Sequence, residues 1–360
     1  MDHGLRRARL VTRLDERGLD ALIVTRLPNV RYLTGFTGSN GQVVVGRAGA
    51  VFLTDGRYEQ QATREVPDLE RRVYLDERAK HLIAACADLA VERAGFEREG
   101  HSYGDWERLA GAAGAIELVP TGGEVESLRA SKEAQEIRAI ERAQEAVDVA
   151  FEEIVAGGLR VGTTERELAL ALEIAMRGAG AEGAAFGTIV AFGEAAAEPH
   201  HDPTDRPLAP GDVVKVDFGA RVDGYHSDMT RTVALGEPDP RLREIHDVVA
   251  AAQAAGIDAV RPGATLREVD RAARAVVEAA GLADRFPHGL GHGVGLEIHE
   301  APFLRWDSPE GERVPAGAVV TIEPGVYVPG LGGVRIEDMV EVTEDGGRVV
   351  GRSPRDLLVL

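Results

Sequence analysis

A chain of 360 residues that is 44% hydrophobic and 28% charged is long enough for two ordinary domains and too apolar to stay disordered. Its formal net charge of −19 argues against nucleic acid as a main partner, and its single cysteine, Cys86, excludes an internal disulfide and a metal site built of cysteines alone. No apolar run reaches the roughly 18 residues of a membrane span, and the N-terminus lacks a leader pattern, so a soluble, cytoplasmic protein without membrane contact is expected.

Residues 5–18 read as an amphipathic helix stopped at Gly18. LDALIVT (19–25) is a short apolar strand, and GQVVVGRAGAVFLTD (41–55) a hairpin turning at Arg47-Ala48-Gly49. Between them, GFTGSNG (35–41) lacks the spacing and trailing lysine of a phosphate loop, so it reads as structural. HLIAACADLAVERAG (81–95) predicts a helix ending at Gly95, with Cys86 as a buried thiol. GFERE then starts a weak strand, and DWERLAGAAG (105–114) predicts a further helix. This strand–helix alternation suggests an α/β domain of roughly 120 residues. A long helix is predicted over 127–158 from the stripe Ile137, Ile140, Val147, Phe151 and Ile154, closing at Gly157-Gly158. The domain boundary is placed just before it, giving domains of 1–126 and 127–360. Further helices are predicted over 164–180, 241–256 and 266–281. Nearly all of the acidic excess falls after residue 130, most of it necessarily on solvated surface.

The second part contains a short self-similarity. GDVVKVDFGA begins at Gly211 and GAVVTIEPGV at Gly317, and each carries an acid six positions after that glycine, Asp217 and Glu323. A second acid follows a turn in each, Asp228 after VDGY and Glu337 after PGLGG. Asp223-Gly224 is a strong two-residue hairpin turn. It sets residue 217 opposite 230, with Asp228 two positions along on the same face. Glu323 and Glu337 straddle Gly330 in the same manner. The apolar flanks suggest central strands, and buried carboxylates this close repel one another unless they are protonated or held by cations.

FPHGLGHGVGLEIHE (286–300) adds three histidines. Its glycines do not spell a dinucleotide fingerprint, because Val294 and Leu296 stand where glycine is needed, and the stretch holds no Lys or Arg to meet a phosphate. The helical zinc-protease pattern is absent too, since His299-Glu300 runs into Ala-Pro-Phe. Four carboxylates and an imidazole make an oxygen-rich site, suited to two hard or borderline divalent ions rather than a single structural zinc.

The order Asp217, Asp228, His292, Glu323, Glu337, in the contexts VDFGA, SDMTRT, HGVGLEIHEAP, IEPG and RIED, closely resembles the M24 pita-bread metallopeptidases. It looks most like their prolidase and aminopeptidase P branch, and TRLPNVRYLTGFTGSNG and TDGRY resemble segments of its short two-domain bacterial members. The resemblance covers nearly the whole chain. It implies an α/β creatinase-like N-terminal domain before an α+β pita-bread catalytic domain with an internal pseudo-twofold repeat. It implies two divalent ions, Mn²⁺ first and Co²⁺ or Zn²⁺ as alternatives. Asp217 would hold one ion, Asp228 and Glu337 would bridge both, and His292 and Glu323 would complete the second. Glu323 would also pass a proton to the departing nitrogen. His200 and His299 would steady the carbonyl and the developing oxyanion. His288 would line a proline pocket, and Arg335 would contact bound peptide or orient the carboxylates. His201 is read as a solvent-facing neighbour of His200. The activity implied is hydrolysis of the Xaa-Pro bond at the N-terminus of peptides, aminopeptidase P-like, with an Xaa-Pro dipeptidase as the alternative. The intact ligand set disfavours a non-catalytic peptide-binding relative and a creatinase-like amidinohydrolase. A homodimer acting on proline-containing peptides is implied as well.

Overall fold

Residues 1–360 are described by a computed structural model, the side chain of residue 156 excepted, and they divide into two units, Met1–Arg129 and Ala130–Leu360. The first runs α1 (His3–Glu16), β1 (Ala21–Val24), α2 (Leu27–Thr34), β2 (Gly41–Gly46), β3 (Gly49–Asp55), α3 (Glu59–Glu65), β4 (Glu70–Tyr74), α4 (Arg78–Asp88), β5 (Arg93–Glu97), α5 (Tyr103–Ala112), β6 (Glu117–Thr121) and α6 (Glu126–Arg129). One six-stranded sheet, ordered β4-β3-β2-β1-β5-β6, carries it. The β1–β2–β3 meander is antiparallel, and β4, β5 and β6 join in parallel. Ile23, Val44, Leu53 and Phe96 of the sheet pack with Leu82, Cys86 and Leu109 of α4 and α5. Burial pushes the Cys86 thiol up to about 12, so it is an inert core residue. Gly95 does not stop a helix as predicted. The helix ends at Asp88, the chain turns through Ala90 at positive φ, and Gly95 lies inside β5. Four consecutive residues of β5 are buried, and a short buried run of this kind reads alike as strand or helix.

The second unit begins with α7 (Ala134–Gly157) and α8 (Glu165–Gly178), followed by β7 (Gly183–Ala184), β8 (Ile189–Phe192), β9 (Val213–Phe218), β10 (Ala220–Val222), β11 (Tyr225–His226) and β12 (Met229–Ala234). The single helix predicted over 127–158 is therefore two, interrupted at Ala130–Glu133. A second helix pair, α9 (Pro240–Ala259) and α10 (Leu266–Ala279), precedes β13 (Gly291–Gly293), β14 (Glu300–Leu304), β15 (Val319–Ile322), β16 (Gly325–Val328), β17 (Gly332–Arg335), β18 (Asp338–Thr343) and β19 (Gly346–Val350). The two halves correspond. Arg-x-Gly-x-Thr-x-x-Glu occurs at 160–167 and again at 261–268, and each Thr and Glu form a capping box that opens α8 or α10. Phe151, Leu172 and Met176 pack on Val214, Val216 and Phe218 in one half, and Val249, Val269 and Val277 pack with Val320, Ile322 and Val340 in the other. At about 1.5–3 kcal/mol for each large apolar side chain fully buried, these cores fix the sheets that carry the acids.

The hairpin geometry follows in detail. Asp223 and Gly224 have φ of 50° and 74°, Val222 pairs with Tyr225, and Thr230 pairs with Asp217. The β8-β9-β12 sheet places β9, and so Asp217, in the centre. The second hairpin differs. Ile322 pairs with Asp338 and Gly325 with Arg335, so the common register sets Glu323 directly across from Glu337, not diagonally. No helix among the described residues is long and apolar enough to cross a membrane.

Candidate active site

Asp217, Asp228, His292, Glu323 and Glu337 all line one cavity of about 710 Å³ in the second unit, with His200, His288, His299 and Arg335. One donor atom each from Asp228, His292 and Glu337 lies within 4.8 Å of the others. His292 Nε2 stands 3.3 Å from Glu323 Oε1 and 3.6 Å from Asp228 Oδ2. Burial, and then His299, lowers the His292 pKa to about 4, so the ring is neutral at pH 7. Its Nδ1 lies 3.1 Å from the Gly293 carbonyl, which places the ring's one proton there. Nε2 then turns a lone pair toward two carboxyl groups, which it can meet favourably only across a proton or a cation.

The acids make the same case. Burial first, then their mutual charge, holds Asp228 and Glu337 well above the ordinary carboxylate range, and burial pushes Glu323 up to about 7. Asp217 Oδ1 is buried and accepts no hydrogen bond from the described residues. The buried guanidinium of Arg335 cannot balance four carboxylates alone. An oxygen-rich donor set, an unpaired carboxylate oxygen and an outward imidazole lone pair together fit divalent cations.

Neighbouring side chains aim these groups. Thr321 Oγ1 accepts His292 N–H (3.0 Å) and donates to Glu323 Oε1 (3.1 Å). Thr230, opposite Asp217, donates its hydroxyl to Glu337 Oε2 (2.6 Å). Arg231 ties the two hairpins by donating to the carbonyls of Thr230 (2.9 Å) and Glu337 (2.6 Å) and to Asp338 (2.7 Å). The histidine stretch is clamped by α10. Arg274, paired with Asp270, donates to the carbonyls of Phe286 (3.0 Å) and His288 (2.8 Å), while Asp270 accepts Leu290 N–H (3.1 Å). At Gly291 a Cβ would stand 1.9 Å from the Thr321 carbonyl oxygen, so only glycine lets this segment lie against β15.

The cavity's other groups divide into committed and open ones. Arg335 donates to Asp217, to Thr230 Oγ1 (3.0 Å), to the Tyr327 hydroxyl (2.8 Å) and to the Pro199 carbonyl (3.2 Å). Such an arginine braces the acids and has little left for a peptide. The Tyr327 hydroxyl in turn meets His288 Nε2 (2.9 Å), and His288 Nδ1 meets the Gly289 carbonyl (2.8 Å). With both nitrogens taken and its pKa lowered to about 3 by burial and Arg335, His288 offers the cavity a neutral ring. His299 packs edge-to-face on His292 with centroids 4.3 Å apart. Neither His200 nor His299 hydrogen-bonds to another described residue, so both face the cavity with donor capacity to spare.

Residues 138–344 match Metallopeptidase family M24, and residues 6–131 match the Creatinase/Prolidase N-terminal domain. The chain belongs to metallopeptidase family M24. It is 36% identical over 358 residues to an Xaa-Pro dipeptidase of Pyrococcus furiosus, covering 97% of this chain and 98% of that one. The solved structure of an Xaa-Pro dipeptidase from Bacillus anthracis superposes with a TM-score of 0.96 at 38% identity over 100% of both chains. An X-Pro aminopeptidase from Thermotoga maritima superposes at 0.90 and 35% identity over 98% of this chain and 99% of that one. The protein is thus a metal-dependent hydrolase, with the creatinase-like and pita-bread domains of the M24 family.

Several side chains that shape this M24 site escape sequence reading. Lys215 is one whose signal was present, an isolated charge in the apolar run VVKVDF; it is fully buried and donates to the Ala196 carbonyl at 3.1 Å. Lys132 and Glu300 form another pair, buried at 2.9 Å, that ties the start of the unit to the strand after His299. Lys132→Met removes the cation from the buried Glu300 carboxylate, and it is expected to cost about 3–5 kcal/mol in denaturant unfolding. The double variant Lys132→Met/Glu300→Gln should recover most of that loss; an equal loss in both would show that the pair's charge is not what matters.

Proposed function

We propose that this M24 peptidase is an Xaa-Pro dipeptidase holding two divalent ions, Mn²⁺ foremost, on Asp217, Asp228, His292, Glu323 and Glu337. The convergence of these five groups on one cavity beside two unengaged histidines carries the reading. Bound ions supply Lewis acidity toward the scissile carbonyl and toward water. Glu323, one oxygen held by Thr321, takes the proton released as water adds and returns it to the departing proline nitrogen. His200 and His299 donate N–H bonds to the carbonyl oxygen as it gains charge. His288, its nitrogens spent on Tyr327 and Gly289, sets an apolar ring against the proline. Because a proline amide lacks an N–H, such a site selects by shape where a general peptidase selects by hydrogen bond.

The relatives named Xaa-Pro dipeptidases favour this over the aminopeptidase P reading drawn from GFTGSNG and TDGRY. Arg305 supports it. Its stem crosses Gly289, where a Cβ would stand 2.5 Å from Arg305 Cγ, and the residue lines the cavity. Its pairing with half-exposed Asp307, at 2.8 and 2.9 Å, is of a kind worth about 0–1 kcal/mol, so a dipeptide's carboxylate can compete for the fork. The likeness to the Thermotoga maritima aminopeptidase keeps the second reading in play.

Metal-free and Mn²⁺-reconstituted protein, given an Xaa-Pro dipeptide and an Xaa-Pro-Xaa tripeptide, separates the two. Cleavage of the dipeptide alone supports the proposal, cleavage of both supports the aminopeptidase, and no metal-dependent cleavage of either defeats both. In Arg305→Met, loss of a charge-assisted contact of about 1.5–3 kcal/mol raises the dipeptide KM roughly 10- to 150-fold. An unchanged dipeptide KM would remove Arg305 from substrate recognition.

A further inference from the structure

We infer that His201 is a positioning residue, gripped between Glu165 and Glu198 so that the segment carrying His200 is held at the cavity wall. The inference rests on the role proposed for His200. Sequence reading places His201 in solvent, yet its side chain is only 10% exposed. Nε2 lies 2.9 Å from Glu165 Oε2, and Nδ1 lies 3.0 Å from Glu198 Oε2. Both partners are carboxylates and can only accept. A neutral imidazole has one N–H, so the two contacts are filled together only by the imidazolium.

Glu165 is a fixed anchor. It is fully buried in the first turn of α8 and accepts Phe192 N–H (2.8 Å), Thr204 N–H (2.9 Å) and the Thr204 hydroxyl (2.6 Å). On the other side of His200 the Pro199 carbonyl accepts from Arg335 at 3.2 Å and Lys215 at 3.5 Å. The chain is therefore pinned immediately before and immediately after a histidine whose own ring makes no hydrogen bond within the described residues. Preorganisation of this kind matters because a misplacement of about 1 Å at a catalytic group can cost on the order of 10²-fold in rate.

The charges facing the ring are Glu165 from α8 and Glu198 from its own segment. Arg206 lies close enough to feel Glu165, and Lys215 of β9 and Arg335 of β17 act on the Pro199 carbonyl. Burial opposes protonation of His201, but the hydrogen bonds to Glu198 and Glu165 outweigh it and hold the pKa above the ordinary histidine value. The grip is complete below that pKa and is lost as pH rises through it.

The test follows the His201 ring by NMR in the metal-loaded protein alongside the pH profile of Xaa-Pro dipeptide hydrolysis. Glu198→Gln, at a side chain 70% exposed and so safe for folding, and Glu165→Gln should each move the His201 titration to lower pH. Each should bring the alkaline fall in kcat down with it, roughly 10-fold or more above the new midpoint, with KM little changed. Were His201 purely structural, the two substitutions would lower kcat equally at every pH. The inference is overturned if wild-type His201 titrates at the ordinary value, or if both variants shift its titration without moving the kcat profile. If no Xaa-Pro peptide is cleaved at all, the functional proposal falls, while the titration still decides whether the two-carboxylate grip exists.

Discussion

Asp228→Asn is expected to remove hydrolysis while leaving the chain folded. Asp228 faces His292 Nε2 and lies within 4.8 Å of the Glu337 donor as well, so it stands where a single carboxylate can serve both neighbours. An amide keeps the shape and loses the charge. If the cations contribute several kcal/mol to the transition state, losing their seat costs on the order of 10³-fold in kcat/KM for an Xaa-Pro dipeptide. Bound metal, measured by elemental analysis after dialysis, should fall with it. Without metal the same substitution should act in the opposite direction. Burial and the charges of Glu337 and Asp217 penalise an ionised Asp228, so removing that charge should raise the melting temperature of the metal-free protein near pH 8. A purely structural aspartate would be destabilising in both states. Full activity with undiminished metal content would refute the assignment.

The parts of this site legible in the sequence are those set by local rules. Asp223-Gly224 demands a two-residue turn, and that turn alone sets Asp217 opposite Thr230 and Asp228 on the same face. The second hairpin resists the analogy because its return strand runs further before the acid. Five residues part its loop from Glu337, against three between Gly224 and Asp228, so Glu323 meets Glu337 head-on. The helix pairs were legible in principle, since Arg-x-Gly-x-Thr-x-x-Glu recurs at 160–167 and 261–268, but a capping box gains meaning as a repeat only once both copies are seen to precede matching sheets. What the sequence hides is long-range. Arg335 reads equally as a peptide contact or a brace for the carboxylates until Asp217, 118 positions away, is found on its guanidinium. His201 looks solvent-facing until Glu165, 36 positions earlier, closes over it. Periodicity reports which face is buried; it does not report which distant acid a buried base will meet.

Metal-free protein is expected to lose stability relative to its Glu323→Gln variant as pH rises from about 4.5 to about 7. Glu323 carries the reasoning. Its pKa is 4.5 as an ordinary glutamate and about 7 in the folded site, chiefly because burial penalises the carboxylate. Below 4.5 the group is neutral in both states. Between the two values the folded chain keeps a proton that the unfolded chain has released, so each rise in pH favours unfolding; at about 1.4 kcal/mol per unit the whole interval is worth on the order of 3 kcal/mol. Asp228 and Glu337, also held above their ordinary values, push the same way from those ordinary values upward and are common to both proteins. Buried histidines oppose this in the same window, His288 and His292 above all, because they stay neutral in the fold down to about 3 and about 4 while the unfolded rings hold protons up to about 6.5; they are common to both proteins and cancel in the comparison. Divalent metal reverses the sign, because the cation holds these acids ionised and must displace their protons to bind. In chelator the melting temperature of the wild type should therefore fall relative to that of Glu323→Gln across the window, and in Mn²⁺ it should not. Titration calorimetry of Mn²⁺ binding near pH 6 in buffers of different ionisation enthalpy should register proton release. A wild-type melting temperature that keeps pace with that of Glu323→Gln from about pH 4.5 to about 7, with no proton released on binding, would mean that Glu323 is ionised without a cation and that the cluster has another source of positive charge.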